Sequence, residues 1–364
     1  MKIAYDAKRF FHNTSGLGNY SRDLVRILSQ YFPENKYLLL NKNKSERGAD
    51  ILQLPGVRFV ETSKGQMSRQ FKMGKDAQQA GADIFHGLSG ELPLKWDKRS
   101  IRKAVTIHDL IFVRYPQYYS FFDRKIHFWK FKKAAESADK IIAISEQTKR
   151  DIIQFLKIPG PKVEVIYQGC HQAFKEKQSE EFTQNTKQKF NIPEKFILNV
   201  GTIEARKNLL NVVKALKDTG IPLVVVGKKT KYFKKVERFV QQNKIEVRFL
   251  EGVSMDELAV LYKLAEIFIY PSLFEGFGIP VIEALFSRTV VITSNTSCLP
   301  EAGGPDSVYI DPQNYLDIRA KIKFLWENKA EAKRRADKGY HFVQKFNDEA
   351  IAEQLIRFYQ DLIR

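Results

Sequence analysis

The sequence has few cysteines and no long apolar run. It contains two cysteines, Cys170 and Cys298, among 364 residues, and their separation matches no paired metal-ligand spacing. A chain of this size needs no disulfides, so we expect a reducing cytoplasm as its compartment. No stretch approaches the ~20 apolar residues of a membrane-spanning helix, and the start lacks the basic and apolar segments of a signal peptide. These absences predict a protein that is neither exported by that route nor embedded in a membrane.

Basic residues outnumber acidic ones, and the excess is uneven. The formal net charge is +18, from 60 Lys and Arg against 42 Asp and Glu. Residues 1–190 hold 34 basic and 20 acidic residues, an excess of +14, whereas residues 191–364 hold 26 and 22, an excess of +4. This charge favours nucleic acid, an anionic membrane or a phosphorylated substrate as partner without choosing among them.

Length and patterning predict two α/β domains. Short apolar runs that end in a small or polar residue are typical of buried parallel strands; nine of them are KIAYD, ADIFHG, AVTIHD, KIIAIS, KVEVIYQG, FILNVGT, LVVVG, IFIYPS and VVITSN. Apolar residues at helical spacing separate several of these runs. The alternation predicts doubly wound domains over residues 1–180 and 181–345, with ligands beyond the carboxyl ends of the strands. The apolar face of a last helix, at about residues 346–364, is expected to pack back on the first domain.

Two adjacent cations follow one of the second-half strands. In GTIEARKNL, Arg206 and Lys207 lie between a strand that ends at Gly201 and a helix that begins near Asn208. Free backbone N–H groups and the positive end of the helix dipole would add to the two side-chain charges. A solvated basic turn is the simpler interpretation of an arbitrary Arg-Lys pair. The position after a buried strand favours an anion site instead.

Two glutamates flank a Gly-Phe-Gly turn in YPSLFEGFGIPVIEAL. Glycines on both sides of the phenylalanine leave backbone N–H groups open to a ligand. Pro280 suits the first position of a helix, which would place Glu283 in the first turn. There it could merely favour the helix dipole. A carboxylate also accepts hydrogen bonds from a vicinal diol, so Glu283 suits a ribose, and Glu275 suits hydroxyls of the group that a diphosphate carries.

These motifs together resemble the signature of the family 4 retaining glycosyltransferases, which have the GT-B fold of two Rossmann-like domains facing across a cleft. The resemblance rests on the Glu-x7-Glu pair in EGFGIPVIE, with GTIEARKNL before it and TSNTSCLPEAGG after it, and covers nearly the whole chain. It implies that the second glutamate binds the nucleotide ribose, that the Arg-Lys pair holds the diphosphate, and that the first glutamate contacts the transferred sugar together with the Phe-Gly backbone. The residues implied for donor binding and catalysis in the second half are Gly201, Arg206, Lys207, Glu275, Phe277, Gly278, Ile279 and Glu283.

Two segments of the first half resemble the same family. TSGLGNYSRDLVRIL is similar to its glycine-rich loop, where Gly16 and Gly18 would let the backbone approach the diphosphate; Ser15 stands where many relatives have another glycine. AVTIHDLIFVRYP ends a strand with a His-Asp pair that is common among family members with mannose donors. The resemblance implies that His108 contacts the transferred sugar near its reacting carbon, with Asp109 as its orienting neighbour. A structural cap is the simpler role for a lone histidine.

A basic aromatic stretch, FFDRKIHFWKFKK, has Phe122, Ile126 and Trp129 on one helical face. Helices that lie on a membrane surface have this composition. A helix inside a doubly wound domain also has one apolar stripe, and this second interpretation is the one that we favour. Peripheral contact with an anionic membrane stays open through the basic side chains of the stretch, which are Arg124, Lys125, Lys130, Lys132 and Lys133.

The predicted activity is transfer of a hexose, with mannose favoured, from a nucleotide diphosphate sugar to a hydroxyl of a glycan or lipid-linked acceptor. Such an enzyme of polysaccharide biosynthesis would be retaining, would use no metal and no further cofactor, and would work in the cytoplasm or at the inner membrane face. GDP-mannose is the favoured donor and a UDP-sugar the alternative. Two other classes of protein would explain part of the sequence. A nucleic-acid-binding protein would explain the charge, but no binding motif is present, so nucleic acid is not an expected partner. A nicotinamide-dependent oxidoreductase would share the fold class, but GLGNYS lacks the third glycine of the dinucleotide fingerprint.

Overall fold

A computed structural model describes residues 1–14, 16–65, 67–96 and 101–364. The chain forms two compact units. The first unit comprises Met1–Gly169 and Phe346–Arg364, and the second comprises Cys170–Lys345. The domain boundary suggested by the sequence, after residue 180, lies inside the second unit.

A seven-stranded parallel sheet forms the centre of the first unit. Its strands are β1 (Lys2–Asp6), β2 (Lys36–Asn41), β3 (Val57–Glu61), β4 (Ile84–Gly87), β5 (Arg102–Ile107), β6 (Lys140–Ala143) and β7 (Val163–Val165). Its helices are α1 (Lys8–His12), α2 (Gly16–Tyr31), α3 (Ser68–Phe71), α4 (Met73–Gln79), α5 (Ile111–Arg114), α6 (Phe121–Ser137) and α7 (Glu146–Asp151). The strands lie in the order β3-β2-β1-β4-β5-β6-β7.

The second unit repeats this plan with a six-stranded parallel sheet. Its strands are β8 (Ile197–Val200), β9 (Leu223–Val226), β10 (Val247–Leu250), β11 (Ile267–Tyr270), β12 (Val291–Ser294) and β13 (Val308–Ile310). Its helices are α8 (Glu180–Phe190), α9 (Leu209–Leu216), α10 (Phe233–Gln242), α11 (Met255–Leu264), α12 (Ile279–Phe286), α13 (Leu299–Gly303), α14 (Tyr315–Glu327) and α15 (Lys329–Val343). The strand order is β10-β9-β8-β11-β12-β13.

Both sheets reverse their strand order at one point. In the first sheet, β2 and β3 lie on one side of β1, and β4 to β7 lie on the other side. In the second sheet, β9 and β10 lie on one side of β8, and β11 to β13 lie on the other side. All described strand pairs are parallel, so the carboxyl ends of neighbouring strands share one edge. Ligands of doubly wound sheets bind outside that edge, at the point of reversal. The predicted doubly wound fold is confirmed, and the candidate site is expected beside β8 and β11.

The last helix, α16 (Asp348–Ile363), belongs to the first unit, as predicted. Its apolar residues Ile351, Leu355 and Phe358 are buried in that unit's core. Asn347 accepts a hydrogen bond from the backbone N–H of Ala350 and so caps the first turn. Arg26 of α2 pairs with Asp348 at 2.8 Å. The helix therefore covers an apolar surface that the rest of the first unit would otherwise expose.

Candidate functional site

Two loops meet at the point of reversal in the second unit. The first loop follows β8 and passes through a 3-10 turn, Ala205–Lys207, into α9, as the sequence indicated. The second follows β11 and ends at Gly278, which caps α12. Leu273 N–H donates to the Arg206 carbonyl at 2.9 Å, so the loop backbones are tied to one another. Two motifs that lie far apart in the sequence are thereby joined beyond the carboxyl ends of adjacent strands.

Glu275 is the centre of this cluster. Its Oε1 accepts from Arg206 Nη1 at 2.7 Å, Lys207 Nζ at 2.6 Å, Ser272 Oγ at 2.5 Å and Tyr270 OH at 3.1 Å. In the described part of the chain these donors all contact Oε1, which leaves Oε2 for a ligand. The predicted cation pair and the first predicted glutamate therefore form one buried ionic cluster.

The electrostatics of the cluster keep Glu275 ionised. Burial alone would raise its pKa, but Lys207 and Arg206, together with hydrogen bonds from Lys207 and Ser272, lower the pKa to about 2. A carboxylate with so low a pKa is a weak base and a weak nucleophile. The cluster suits Glu275 to orienting hydroxyl groups and holding the two cations in place.

Glu283 lies in a different environment. It is buried in α12 and accepts a hydrogen bond from Tyr262 OH of α11 at 2.9 Å. Burial raises the pKa of Glu283 to about 7, and the tyrosine only partly opposes this shift. The helix begins at Ile279, so Pro280 is its second residue and Glu283 lies in the second turn. The prediction that Glu283 lies in the first turn was therefore wrong. The helix starts directly after Gly278, one residue earlier than the predicted start at Pro280.

The loop between the two glutamates has a backbone that glycine permits. Gly278 has φ of 115°, and a Cβ there would lie 3.0 Å from a Leu299 methyl group. The carbonyl of buried Phe277 accepts from Cys298 Sγ at 2.9 Å. Ser297 Oγ accepts from the Glu275 N–H at 3.1 Å. These contacts hold the predicted donor-binding segment Phe277–Ile279 in one conformation at the start of α12.

Gly201 gives the first loop its shape. Its φ of 142° lies in the region that glycine adopts easily. A Cβ at this position would lie 3.8 Å from both the Lys207 side chain and the Tyr270 ring. Glycine here therefore leaves the strand end beside the ionic cluster open.

Gly16 and Gly18, which were predicted to lie in a glycine-rich loop, are the first and third residues of α2. A Cβ at Gly18 would lie 2.1 Å from the Asn13 carbonyl oxygen, so the close approach of Asn13 to the start of α2 requires glycine there. The Gly18 N–H also donates to Asn13 Oδ1 at 3.1 Å. A Cβ at Gly16 would meet no described atom within 4 Å. Ser15 lies outside the described residues. Of the two predicted glycines, Gly16 therefore has space beside its Cα atom for a ligand to approach, and Gly18 does not.

His108 is partly buried just beyond β5. Its Nε2 lies 2.9 Å from the Leu88 carbonyl, which assigns the proton to Nε2 and leaves Nδ1 as an acceptor. Burial lowers the pKa of His108 to about 4. The side chain is therefore neutral near pH 7. Asp109 Oδ1 accepts from the N–H of Ile111, the first residue of α5, at 3.0 Å.

A polar chain that the sequence did not suggest leads from α16 to His108. Tyr359 OH lies 2.7 Å from His86 Nδ1, and His86 Nε2 lies 2.7 Å from Thr106 Oγ1. Tyr20 OH lies 3.1 Å from the same Thr106 oxygen, and its ring packs edge-on against His108 with centroids 4.6 Å apart. Burial lowers the pKa of His86 to about 3. The last helix thus contributes to the surroundings of the candidate histidine.

Four further residues of the site in the second unit were not predicted from the sequence. Ser272 lies in the motif YPSLFEGFGIPVIEAL, three residues before Glu275. Its hydroxyl group at that short spacing could have indicated a contact with the carboxylate. Ser297 and Cys298 stand in the TSNTSCLPEAGG segment, whose individual residues had been given no role. Tyr262 lies in the last turn of α11, and nothing in its local sequence points to Glu283.

The favoured interpretation of the basic aromatic stretch was wrong. Residues 121–133 do form a helix, α6, but the side chains that were expected to pack inward are exposed. Phe122 is 77% exposed, Ile126 54% and Trp129 50%. The inner face of α6 is formed instead by Phe128, Phe131, Ala134 and Ala135.

Two kinds of feature are absent from the described residues. Across residues 1–14, 16–65, 67–96 and 101–364, no cluster of three or more His, Cys, Asp or Glu side chains is arranged to hold a metal ion. In the same ranges, no helix has the length and apolar character that crossing a membrane requires.

Models of known protein families match both halves of the chain. The family model described as Glycosyltransferase Family 4 matches residues 16–173, and the one described as Glycosyl transferases group 1 matches residues 181–342. The chain is 24% identical to O-antigen chain mannosyltransferase B of Escherichia coli over 99% of its own length and 100% of that protein. It is 29% identical to O-antigen chain mannosyltransferase RfbU of Salmonella typhimurium over 61% of this chain and 60% of that one.

A solved structure supports the fold. Anabaena Alr3699/HepE in complex with UDP-glucose superimposes with a TM-score of 0.76, at 14% identity, over 99% of this chain and 100% of that one. The two doubly wound units and the returning helix thus define a glycosyltransferase of the GT-B class. The chain belongs to glycosyltransferase family 4. This assignment favours glycosyl transfer over the nucleic-acid-binding and oxidoreductase alternatives.

Proposed function

We propose that this protein transfers mannose from GDP-mannose to a hydroxyl of a glycan or lipid-linked acceptor with retention of anomeric configuration. The observation that carries the proposal is the ionic cluster of Arg206, Lys207 and Glu275 beside β8 and β11. The loop that contains Glu275 leads directly into α12, which contains Glu283. Full-length similarity to an O-antigen mannosyltransferase supports mannose as the sugar. The UDP-glucose complex of a structural neighbour supports a nucleotide sugar as the donor class and keeps a UDP-sugar as the alternative.

Arg206 and Lys207 bind the diphosphate in this proposal. Both side chains are largely buried, and both contact Glu275, so their charges are fixed in position before the donor arrives. The diphosphate gains negative charge as the glycosidic bond breaks. Fixed cations stabilise that developing charge more than the ground state and therefore lower the barrier.

Glu283 binds the ribose. Its carboxyl group has one tyrosine donor in the described structure and a pKa raised to about 7 by burial. Two ribose hydroxyls would donate to the ionised form and offset the cost of burying its charge. This role requires no charge on the ligand.

Glu275 orients hydroxyls of the transferred sugar through Oε2, and the backbone at Phe277 and Gly278 lies beside it. The low pKa of Glu275 argues against a covalent intermediate on this residue. Four donors contact its carboxylate, which makes the carboxylate a weak nucleophile. We therefore favour front-face attack, with the departing phosphate as base. His108, neutral and with Nδ1 as acceptor, is proposed to contact the sugar near the reacting carbon.

No metal ion takes part in the proposed reaction, because Arg206, Lys207 and the N–H groups at the start of α12 supply the positive charge. The reaction is proposed to take place in the cytoplasm, at the inner face of the membrane when the acceptor is lipid-linked. Chelation with EDTA is expected to leave the transfer rate unchanged.

The proposal is tested by thermal-shift measurements with a panel of nucleotide sugars, followed by transfer assays with the sugar that stabilises most. GDP-mannose is expected to raise Tm more than UDP-glucose. Lys207→Ala is expected to lower kcat more than it raises KM, because its contribution grows with leaving-group charge. Absence of a shift with every nucleotide sugar would contradict the proposal, and inversion at the anomeric carbon, seen by NMR of the product, would contradict the retaining mechanism.

A further inference from the structure

The first unit has an ionic cluster at its own point of strand reversal, between β1 and β4. Arg69 of α3 contacts Asp6, the last residue of β1, at 2.7 Å, and Glu91, which follows β4, at 2.6 Å. Lys130 of α6 lies 3.7 Å from the other Glu91 oxygen. Ligands of doubly wound sheets bind outside this edge. The cluster therefore lies where a ligand of the first unit is expected.

Arg9 lies beside this cluster without pairing with it. It follows β1 as the second residue of α1. Within the described part of the chain, its guanidinium group makes no ion pair and no hydrogen bond, and its Nε is buried without an acceptor. Native proteins rarely leave a buried donor unpaired, because nothing replaces the hydrogen bond that it made with water. A ligand that supplies the acceptor would explain this exception.

Arg9 is close enough to act on the side chains that follow β4 and β5. Burial raises the pKa of Glu91, but Arg69, Lys130 and Arg9 together lower the pKa below its ordinary value. Burial is the main cause that lowers the pKa of His108, and the charge of Arg9 adds to it. Arg9 is therefore near both the ionic cluster and the histidine that is proposed to contact the transferred sugar.

The carboxylates of the cluster already have other partners. Asp6 and Glu91 both contact Arg69, and Glu91 also faces Lys130. With Arg9 included, three cations stand against two carboxylates, which leaves an excess of one positive charge. One negative charge from a ligand would balance the site and give Arg9 a partner.

We propose that Arg9 binds a singly charged oxyanion of the acceptor, a carboxylate or a phosphodiester, at the reversal point of the first sheet. A guanidinium group presents its donors in a planar fork that matches such a group. A single charge fits the excess of one, whereas the diphosphate of a nucleotide sugar carries more. The word acceptor rests on the proposed function, but the binding of the anion does not.

Thermal-shift titrations at constant ionic strength test this binding with three matched probes. The probes are methyl mannoside, methyl mannuronoside and methyl mannoside 6-(methyl phosphate), which differ by a neutral, a carboxylate or a phosphodiester group at one end of the same sugar. Wild-type protein is expected to bind at least one of the two anions about tenfold or more tightly than the neutral glycoside. The anion that binds more tightly identifies the source of the charge.

Substitutions of Arg9 test its part in the binding. Arg9→Met keeps most of the apolar stem and removes the charge, so affinity for the anion is expected to fall about tenfold to a hundredfold. Arg9→Lys keeps the charge without the planar fork and is expected to restore part of the affinity. The matched control is Arg248→Met on β10, where Nε is likewise buried and unpaired. The control is expected to bind the anion as wild type does.

The stability of the unliganded variants separates a binding role from a structural one. Arg9→Met breaks no ion pair or hydrogen bond of the described residues, so its Tm without ligand is expected to equal or exceed that of wild type. Arg69→Met breaks the contacts with Asp6 and Glu91 and is expected to lower Tm.

Three results of these titrations would overturn the proposal. The first is wild-type protein that binds neither anion more tightly than the neutral glycoside, and the second is undiminished anion binding by Arg9→Met. The third is an equal loss of affinity in Arg9→Met and in Lys8→Met, which removes the same charge from the preceding residue. That third result would assign the anion to the neighbouring cavity lined by Lys8, Lys42 and Arg69.

Nucleotide-sugar thermal shifts on the same variants separate failure of this inference from failure of the proposed function. A normal nucleotide-sugar shift without anion binding defeats only the inference. Anion binding without any nucleotide-sugar shift defeats only the proposed function. If Arg9→Met loses as much affinity for the nucleotide sugar as for the anion, Arg9 contacts the donor diphosphate, and the assignment to the acceptor is overturned.

Discussion

Glu275 and Glu283 are eight residues apart, both buried, and opposite in their electrostatics. Glu275 accepts from two cations and two hydroxyls, and its pKa falls to about 2 against the effect of burial. Glu283 accepts from one tyrosine, and burial raises its pKa to about 7. The comparison teaches that the donors around a buried carboxyl group, more than its depth, decide its charge. Glu275 is satisfied by the protein, whereas ionised Glu283 requires donors from a ligand.

The largest expected effect is on stability at the first glutamate. Glu275→Ala leaves Arg206 and Lys207 buried without their shared carboxylate, which is expected to cost about 3 kcal/mol or more of unfolding free energy. Chemical denaturation measures this loss. Glu204→Ala is the matched control, because Glu204 also pairs with Arg206 but its side chain is 38% exposed. The control is expected to cost under about 1 kcal/mol, and similar losses in both variants would contradict the buried-cluster account.

Replacing Glu283 is expected to change stability in the opposite direction from replacing Glu275. Glu283→Gln removes a charge that is costly to bury and keeps an oxygen that accepts from Tyr262. At pH 8 it is expected to stabilise the fold by about 2 kcal/mol. It is also expected to weaken donor binding between about tenfold and a hundredfold, because ribose hydroxyls lose a charged acceptor. Denaturation and calorimetry measure the two effects. A destabilised variant with normal affinity would overturn the assignment of Glu283.

The two carboxyl groups also predict the pH dependence of stability. From pH 4.5 to about 7, Glu283 keeps its proton in the folded protein and loses it in the unfolded chain, so stability falls as pH rises through this window. From pH 4.5 down to about 2, Glu275 stays ionised only in the folded protein, so stability falls as pH decreases. Each group contributes a slope of up to about 1.4 kcal/mol per pH unit. Chemical denaturation at a series of pH values measures these slopes. Glu283→Gln should remove the slope above pH 4.5 alone, and Glu275→Gln the slope below pH 4.5 alone. A variant that changes the other slope instead would contradict the assignment.

The smallest effect is expected from the tyrosine beside Glu283. Tyr262→Phe removes the hydrogen bond that lowers the pKa of Glu283, so this pKa is expected to rise above its wild-type value near 7. Affinity for the donor at pH 7 should fall a few-fold, in line with about 1 kcal/mol for one hydrogen bond. Titration of donor binding against pH measures the midpoint. A binding midpoint at the wild-type pH, or at a lower pH, would show that Tyr262 does not lower the pKa of Glu283.

Much of the architecture could be predicted because buried parallel strands leave continuous apolar runs. The four strands that the sequence did not suggest are β2, β3, β10 and β13. Three of them, β3, β10 and β13, are at sheet edges. Every residue of β10, VRFL, is only partly buried. A strand that is covered on fewer sides needs fewer apolar residues, so its local signal is weaker.

The candidate site was predictable in part, and the limit has a physical cause. Arg206, Lys207, Glu275 and Glu283 lie in local motifs after strands, and the fold brings the loops that carry them together. The pairing of Glu275 with both cations depends on neighbouring strands, and the contact between Tyr262 and Glu283 depends on helix packing. Neither has a local signal. The exposure of α6 was missed because an apolar stripe alone does not reveal which side of a helix faces the core.

Proton release on donor binding tests the central claim most directly. Calorimetry is performed at pH 6.5 in buffers that differ in ionisation enthalpy, with the nucleotide sugar that gives the largest thermal shift. Hydroxyl donors that stabilise ionised Glu283 should lower its pKa, so wild-type protein is expected to release part of a proton per donor bound, and Glu283→Gln to release none. Equal release by both proteins, or none by the wild type, would contradict the assignment of Glu283 to the ribose.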